Sequence, residues 1–202
     1  MIYFDNAATG GFKPFKSVDA GYNAMKNLNA NAGRSGHKLS LYASEIVYET
    51  RNSLAKFFGA SADRIIFTAN CTESLNVAIF GMYEKGTNVI TTVTEHNSVL
   101  RPLYELKRRG EISLTIIEPS VGGVSAEDVY SSLQPNTKMV VLNAVSNVNG
   151  LENDVDGIGK LLKDKNITYI VDGAQIAGHG QINVDNQLID AFIKSFIYGL
   201  TA

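Results

Sequence analysis

Four short polar clusters carry residues able to do chemistry together: Asn70-Cys71-Thr72, Glu95-His96-Asn97, Ser146-Asn147-Val148-Asn149-Gly150, and Asp172 with Gln175. Each follows a run of apolar, β-branched residues that reads as a strand. Thr72 and its neighbouring amides open a helical stretch that the pattern starts at Glu73. Such a start suits an anion such as phosphate, because the first N–H groups of a helix have no intrahelical partner. His96 is a flat aromatic able to stack on a ring. Asp172 can hold a proton on a heteroaromatic nitrogen, and Asn147 or Gln175 can hydrogen-bond a ring hydroxyl. Taken singly, each has a plainer explanation. Thr72 caps the next helix, His96 is a satisfied loop histidine, the Asn-Val-Asn-Gly run is a turn, and Asp172 caps the turn after it.

The elements that must position these groups alternate. The uncharged run Ile167–Val171 predicts a parallel strand covered on both faces, delivering Asp172 at its end, with Gly173 allowing a sharp turn. Upstream, the pattern predicts a helix over Ser17–Leu28, a polar Gly-rich loop over Asn29–Gly36, and a long helix from Leu39 to Phe58 stopped by Gly59. Strands are predicted at Arg64–Thr68, Asn88–Val93, Ile112–Ile117 and Lys138–Asn143. Between them the pattern places helices at Glu73–Phe80, Ser98–Arg109, with Pro102 in its opening turns, and Ser125–Leu133, where Ser125 and Asp128 are spaced as a capping box. A last helix spans Val155–Lys163 before the Ile167 strand. This order predicts an α/β protein with a mostly parallel sheet flanked by helices, and in such sheets ligands bind outside the carboxyl ends of the strands. The four clusters would then line one rim.

Composition narrows the classes. The chain has 202 residues, 45% hydrophobic and 19% charged, with a formal net charge of -2, which fits a soluble globular protein with room for one substantial core. The near-neutral balance argues against a nucleic-acid surface, and the short basic cluster Lys107-Arg108-Arg109 reads as the solvated end of a helix. Cys71 is the single cysteine, and the start Met1-Ile2-Tyr3-Phe4-Asp5 lacks the regions of a secretory signal, so a reducing cytoplasmic location is expected, without a membrane. No Gly-x-Gly-x-x-Gly follows a strand, no Walker-type Gly-Lys-Ser/Thr occurs, and His37, His96 and His179 lack the spacing of a local zinc motif. Phosphate, ring, ring nitrogen and ring hydroxyl together describe pyridoxal phosphate, whose pyridinium nitrogen needs an acidic partner to act as an electron sink.

In register along the chain, several motifs resemble one family. These are Tyr3-Phe4-Asp5-Asn6-Ala7-Ala8-Thr9, Arg34-Ser35-Gly36-His37, Phe67-Thr68-Ala69-Asn70-Cys71-Thr72-Glu73-Ser74-Leu75-Asn76, Glu95-His96-Asn97-Ser98, Ser146–Gly150, and Val171-Asp172-Gly173-Ala174-Gln175-Ile176-Ala177-Gly178-His179. The chain looks like the N-terminal portion of the cysteine desulfurase and class V aminotransferase group of fold-type I pyridoxal phosphate enzymes. The resemblance implies Cys71 and Thr72 at the phosphate and His96 stacked on the ring, where it also moves protons. It puts Asn147 and Gln175 near the ring hydroxyl and Asp172 on the ring nitrogen. It further implies a cysteine-like amino acid substrate and a homodimer with the Arg34–His37 loop near the interface, with selenocysteine lyases and transaminases as close variants. A non-catalytic fragment that binds cofactor or a partner is the alternative.

The departure lies after Ile189-Asp190, where the family continues into a Ser-Gly-His-Lys segment carrying its Schiff-base lysine. A gapless count puts Ser195 on the serine and Tyr198 on the lysine; matching Lys194-Ser195 to a His-Lys-Ser version needs a deletion and an insertion. No catalytic lysine is carried over. Lys194 is expected on a strand with its amine pointing across the sheet, and the chain is expected not to turn over cysteine even where Thr72, His96 and Asp172 retain the cofactor weakly without a covalent link. Residues 1–16 are expected to belong to the family's small-domain part and 17–202 to an incomplete cofactor-binding large domain.

Overall fold

A computed structural model describes residues 2–3 and 10–194. The elements in chain order are α1 (Phe15–Asn27), α2 (Lys38–Phe58), a 3-10 turn (Ala62–Arg64), α3 (Cys71–Met82), β1 (Thr87–Thr92), α4 (Asn97–Arg108), β2 (Ile112–Ile117), α5 (Ala126–Ser132), β3 (Thr137–Asn143), α6 (Val155–Leu162), β4 (Thr168–Asp172) and β5 (Ala191–Ile193). All strands pair in parallel, in the order β2-β1-β3-β4-β5. Parallel strands need crossovers, and helices supply those from β1 to β4 while turns alone lead from β4 to β5, with side chains alternating between the two faces. Val140 and Leu142 of β3 and Tyr169 and Val171 of β4 pack with Ile158 of α6 and Val129 of α5. Met139, Val141 and Ile170 face the other way, onto Leu75 and Ile79 of α3 and Val99, Leu103 and Leu106 of α4. A strand buried on both faces cannot alternate apolar with polar, which is why these runs contain so little charge.

Local chemistry sets the ends of the elements. Gly59 closes α2 in the left-handed region at φ 63, where a side chain would be strained. Ser125 and Asp128 form the expected capping box. Helix α1 starts two residues before the expected Ser17 and buries none of its side chains. At Gly173 the need is for room and not for the anticipated turn: a Cβ would lie 2.0 Å from the Phe192 ring of β5.

The strand expected at Arg64–Thr68 does not form. Arg64 ends the 3-10 turn, and the next residues join no ladder. Ile66 is 78% exposed and Phe67 44%, so the apolar residues that suggested a strand have no sheet neighbour to pack against. Phe67 instead lies under the Arg51 guanidinium, and Arg51 also donates to the Ile65 carbonyl.

Candidate functional site

The strand order reverses direction between β1 and β3, and the crevice above such a switch point is where open α/β sheets place ligands. Asn143, the last residue of β3, pairs in register with Asp172, the last of β4, and Asp172 pairs with Ile193, the last of β5. Three strands therefore end level, and the loops that leave them form the rim.

Asp172 is buried in that rim. Its Oδ1 accepts the Ala174 N–H at 2.9 Å and faces the Cys71 thiol at 3.8 Å. Burial pushes its carboxyl above the usual range, opposed by the Ala174 N–H, the charge of His96, the Cys71 thiol and the Lys194 ammonium. The Ala174 N–H on Asp172 Oδ1 caps the turn that the Ala177 N–H closes on the Gly173 carbonyl, as the plainer explanation has it, and the same carboxyl lies buried in the rim beside Cys71. Helix α3 begins at Cys71, two residues earlier than expected, and its cap is Asn70, whose Oδ1 accepts the Glu73 N–H at 2.8 Å. That leaves Thr72 free of the capping duty; the residue is exposed and its hydroxyl lies 3.2 Å from Ser98 Oγ. His96 is likewise exposed and caps α4, its Nδ1 accepting the Ser98 N–H at 3.1 Å and contacting the Ser98 hydroxyl. Ser98 thus links the histidine to the start of α3, a role that its position next to the Glu-His-Asn cluster did not reveal.

The structure brings Cys71, Thr72, His96 and Asp172 together. Gln175 sits half-buried in the turn after Asp172, whereas Asn147 is exposed in a turn closed by the Gly150 N–H on the Ser146 carbonyl. Asn143 is the asparagine at the strand end. Its side chain donates to the Thr94 carbonyl at 2.8 Å and is held by Asn153 at 3.0 Å.

Lys194 corrects the expectation made for it. Asp190 clamps β5 to β4 by accepting the Tyr169 N–H at 2.7 Å and donating its own N–H to the Tyr169 carbonyl. The ladder stops at Ile193, so Lys194 lies just past the strand, free of the pleat that would have sent it across the sheet. Its Nζ donates to the Ala174 and Ala177 carbonyls at 3.1 and 3.0 Å. Partial burial lowers its pKa, offset by the nearby Cys71 and Asp172. The amine is thus part of the rim. Ser195 and Tyr198, which the gapless count sets on the family's serine and lysine, lie outside the described residues. A cavity of about 400 Å³ lies elsewhere, lined by Glu84, Lys163, Asp164, Tyr169 and Asp190, and includes none of the predicted site residues.

A family model described as Aminotransferase class-V matches residues 2–196. The chain belongs to the class-V aminotransferase family. It is 34% identical to a "Probable cysteine desulfurase" of Borreliella burgdorferi over 191 residues, covering 91% of this chain and 45% of that protein. It is also 34% identical to "Cysteine desulfurase IscS" of Shewanella amazonensis, covering 94% of this chain and 48% of the relative. Among solved structures, the apo cysteine desulfurase of Thermococcus onnurineus NA1 superposes with a TM-score of 0.90 at 34% identity, over 98% of this chain and 50% of that one. The structure titled "SspA in complex with cysteine" reaches the same TM-score at 26% identity, over 58% of its own length. The class-V chain therefore spans about half the length of the curated relatives it matches.

Proposed function

We propose that this chain forms the pyridoxal phosphate-binding half of a class-V enzyme acting on a cysteine-like amino acid, in a lineage that takes sulfur from cysteine to leave alanine and a protein persulfide. The observation that carries the reading is the buried Asp172 carboxylate at the end of β4, with an exposed imidazole, a helix start and a half-buried amine around it. These residues fit the cofactor's donor and acceptor pattern. The amides at the start of α3, with Thr72 and Cys71 beside them, suit its phosphate. Asp172 would hold a proton on the ring nitrogen, His96 would cover the ring face, and Gln175 and Asn147 remain the candidates for the ring hydroxyl. When bound, the cofactor supplies an electron sink for the pair released at the substrate's Cα. Lys194 contributes an amine whose lowered pKa raises the share of the neutral, nucleophilic form. The cysteine-bound relative supports an amino acid substrate of that class.

The Cys71 thiol faces Asp172 at 3.8 Å and is a contact of the rim. Tested by itself, the 202-residue chain is expected to bind cofactor without releasing alanine from cysteine. A second copy is the partner this reading calls for: α1 and α2 expose Phe15, Met25, Leu41 and Tyr48, with Arg34 and His37 in the segment between them. The reducing cytoplasm is the compartment proposed, with residues 1–16 assigned to a small-domain part.

The test is a pyridoxal phosphate titration with subsequent borohydride reduction and peptide mapping. Asp172→Asn, which removes one charge of a buried pair, should cost about 2–5 kcal/mol of affinity. A reduced adduct should map to Lys194. Unchanged binding in Asp172→Asn, or an adduct spread over surface lysines, would remove the reading. Sedimentation as a monomer at high concentration would remove the homodimer.

A further inference from the structure

Two buried side-chain oxygens lack any hydrogen-bond partner among the described residues, Thr91 Oγ1 and Glu95 Oε2. The glutamate is the informative one, because its other oxygen is fully engaged. Glu95 Oε1 accepts the Thr92 hydroxyl at 2.7 Å and the Asn143 N–H at 2.9 Å. It thereby ties the end of β1 to the end of β3 across the switch point. The tie is reinforced by the Asn143 amide on the Thr94 carbonyl and by the Ser146 hydroxyl on the same carbonyl. Asn143 is the ladder partner of Asp172, and neighbouring strands run about 4.8 Å apart, so the Glu95 carboxyl sits one strand away from the carboxylate that defines the site.

We propose that Glu95 is a positioning residue of the cofactor site: a buried carboxyl that clasps β1 to β3 next to His96 in the chain and leaves the charge of the site to Asp172. This rests on the pyridoxal phosphate reading for its purpose but not for its geometry. With the Glu95 carboxyl bonded to the end of β3 and Asp172 at the end of the neighbouring β4, ionising both with so little water costs free energy, and environments that split such a pair assign one neutral and one charged role. The groups that act on Glu95 sort in that direction. Burial comes first, pushing its pKa up to about 8, and Asp172 of β4 adds to the rise; the Asn143 N–H and the Thr92 hydroxyl oppose it. From β4, the buried Tyr169 also feels the Glu95 charge, and His96 stands next in sequence with its influence directed at Asp172. Of the pair, only Asp172 has an imidazole, a thiol and an ammonium around it to support a negative charge. Ionising Glu95 would set an unpaired buried charge in the clasp, draw in water and loosen the loop that carries His96.

The test uses the full chain and two variants, Glu95→Gln, which keeps the acceptor oxygen without the titration, and Glu95→Leu, which removes both. In the apoprotein, the Asn143 amide resonance should move with a midpoint near pH 8 in wild type and stay flat in Glu95→Gln. With pyridoxal phosphate, wild type should lose about tenfold in affinity relative to Glu95→Gln between about pH 7 and pH 9.5, the two being equal at the lower pH. Glu95→Leu should bind weakly at both, and Glu95→Gln stands as the rescue that separates positioning from folding. An Asn143 midpoint unchanged in Glu95→Gln, or none in wild type, overturns the proposal. If neither protein binds the cofactor, the functional reading fails while the Asn143 titration still decides the role of Glu95.

Discussion

Glu95 and Glu105 stand at opposite ends of α4, the first just before it at the rim and the second in its last turn. At the solvated end, the hydrogen bonds of Arg108 and then Arg109 pull the Glu105 carboxyl down to about 2, with both guanidiniums 2.8 Å away. At the rim, burial holds Glu95 up at about 8 although it too accepts hydrogen bonds. The difference is the medium: water and two guanidiniums stabilise the ionised form at one end, and a water-poor strand junction with a second carboxyl penalises it at the other. Regions rich in ion pairs therefore mark the surface of this protein, while the place suited to chemistry is the one where charges lack sufficient counter-charge.

That contrast can be tested most strongly through pH. The folded pKa of Glu95 lies above its unfolded value, so the folded state binds the extra proton. Its contribution to stability is complete below 4.5 and is lost as pH rises to about 8, falling by about 1.4 kcal/mol per unit within that window. Asp172, also raised, loses stability in the same direction from 3.8 upward. Urea midpoints of Glu95→Gln and wild type should thus diverge in favour of the variant as pH climbs from about 5 to about 8; parallel curves would erase the contrast.

A smaller effect belongs to Asp128, an intermediate case. Its carboxyl is lowered by the Ser125 hydroxyl, and the two residues cap α5 reciprocally, with the Asp128 N–H on Ser125 Oγ at 3.2 Å and the Ser125 N–H on Asp128 Oδ2 at 2.8 Å. Ser125→Ala should cost about 1 kcal/mol in a denaturant titration at neutral pH. Because the Asp128 pKa is depressed, the loss should shrink as pH falls through its folded value; a deficit that grows in acid would contradict the assignment. The smallest effect is expected at the solvated end. Glu105→Gln should leave the urea midpoint at neutral pH within error of wild type, since exposed pairs contribute little and salt screens them. A clear loss that persists at high salt would show that the two ends of α4 differ less than the geometry says.

Most of the fold was legible because its signals are local. Runs such as Met139–Leu142 and Tyr169–Val171 are uncharged, which two-sided burial requires, and Gly59 and the Ser125/Asp128 pair mark helix ends by their own backbone chemistry. The order of polar clusters after strands likewise placed His96 and Asp172 at one rim, because strand direction dictates where a strand delivers its next residue; Cys71 and Thr72 reach the same rim at the start of α3, without the strand expected before them. What only the tertiary structure decided was everything that depends on a neighbour distant in sequence. Arg64–Thr68 has the composition of a strand but no ladder to join. Asn143 joins the junction because register with Asp172 is set across strands, which no local pattern reports. Glu95 is a buried acid because Thr92 and Asn143 close over it, and Lys194 turns into the rim because the ladder ends one residue before it and two carbonyls after Asp172 stand ready to accept its amine. Periodicity reports which face a residue takes; ionisation and orientation depend on which partners the chain folds back to supply.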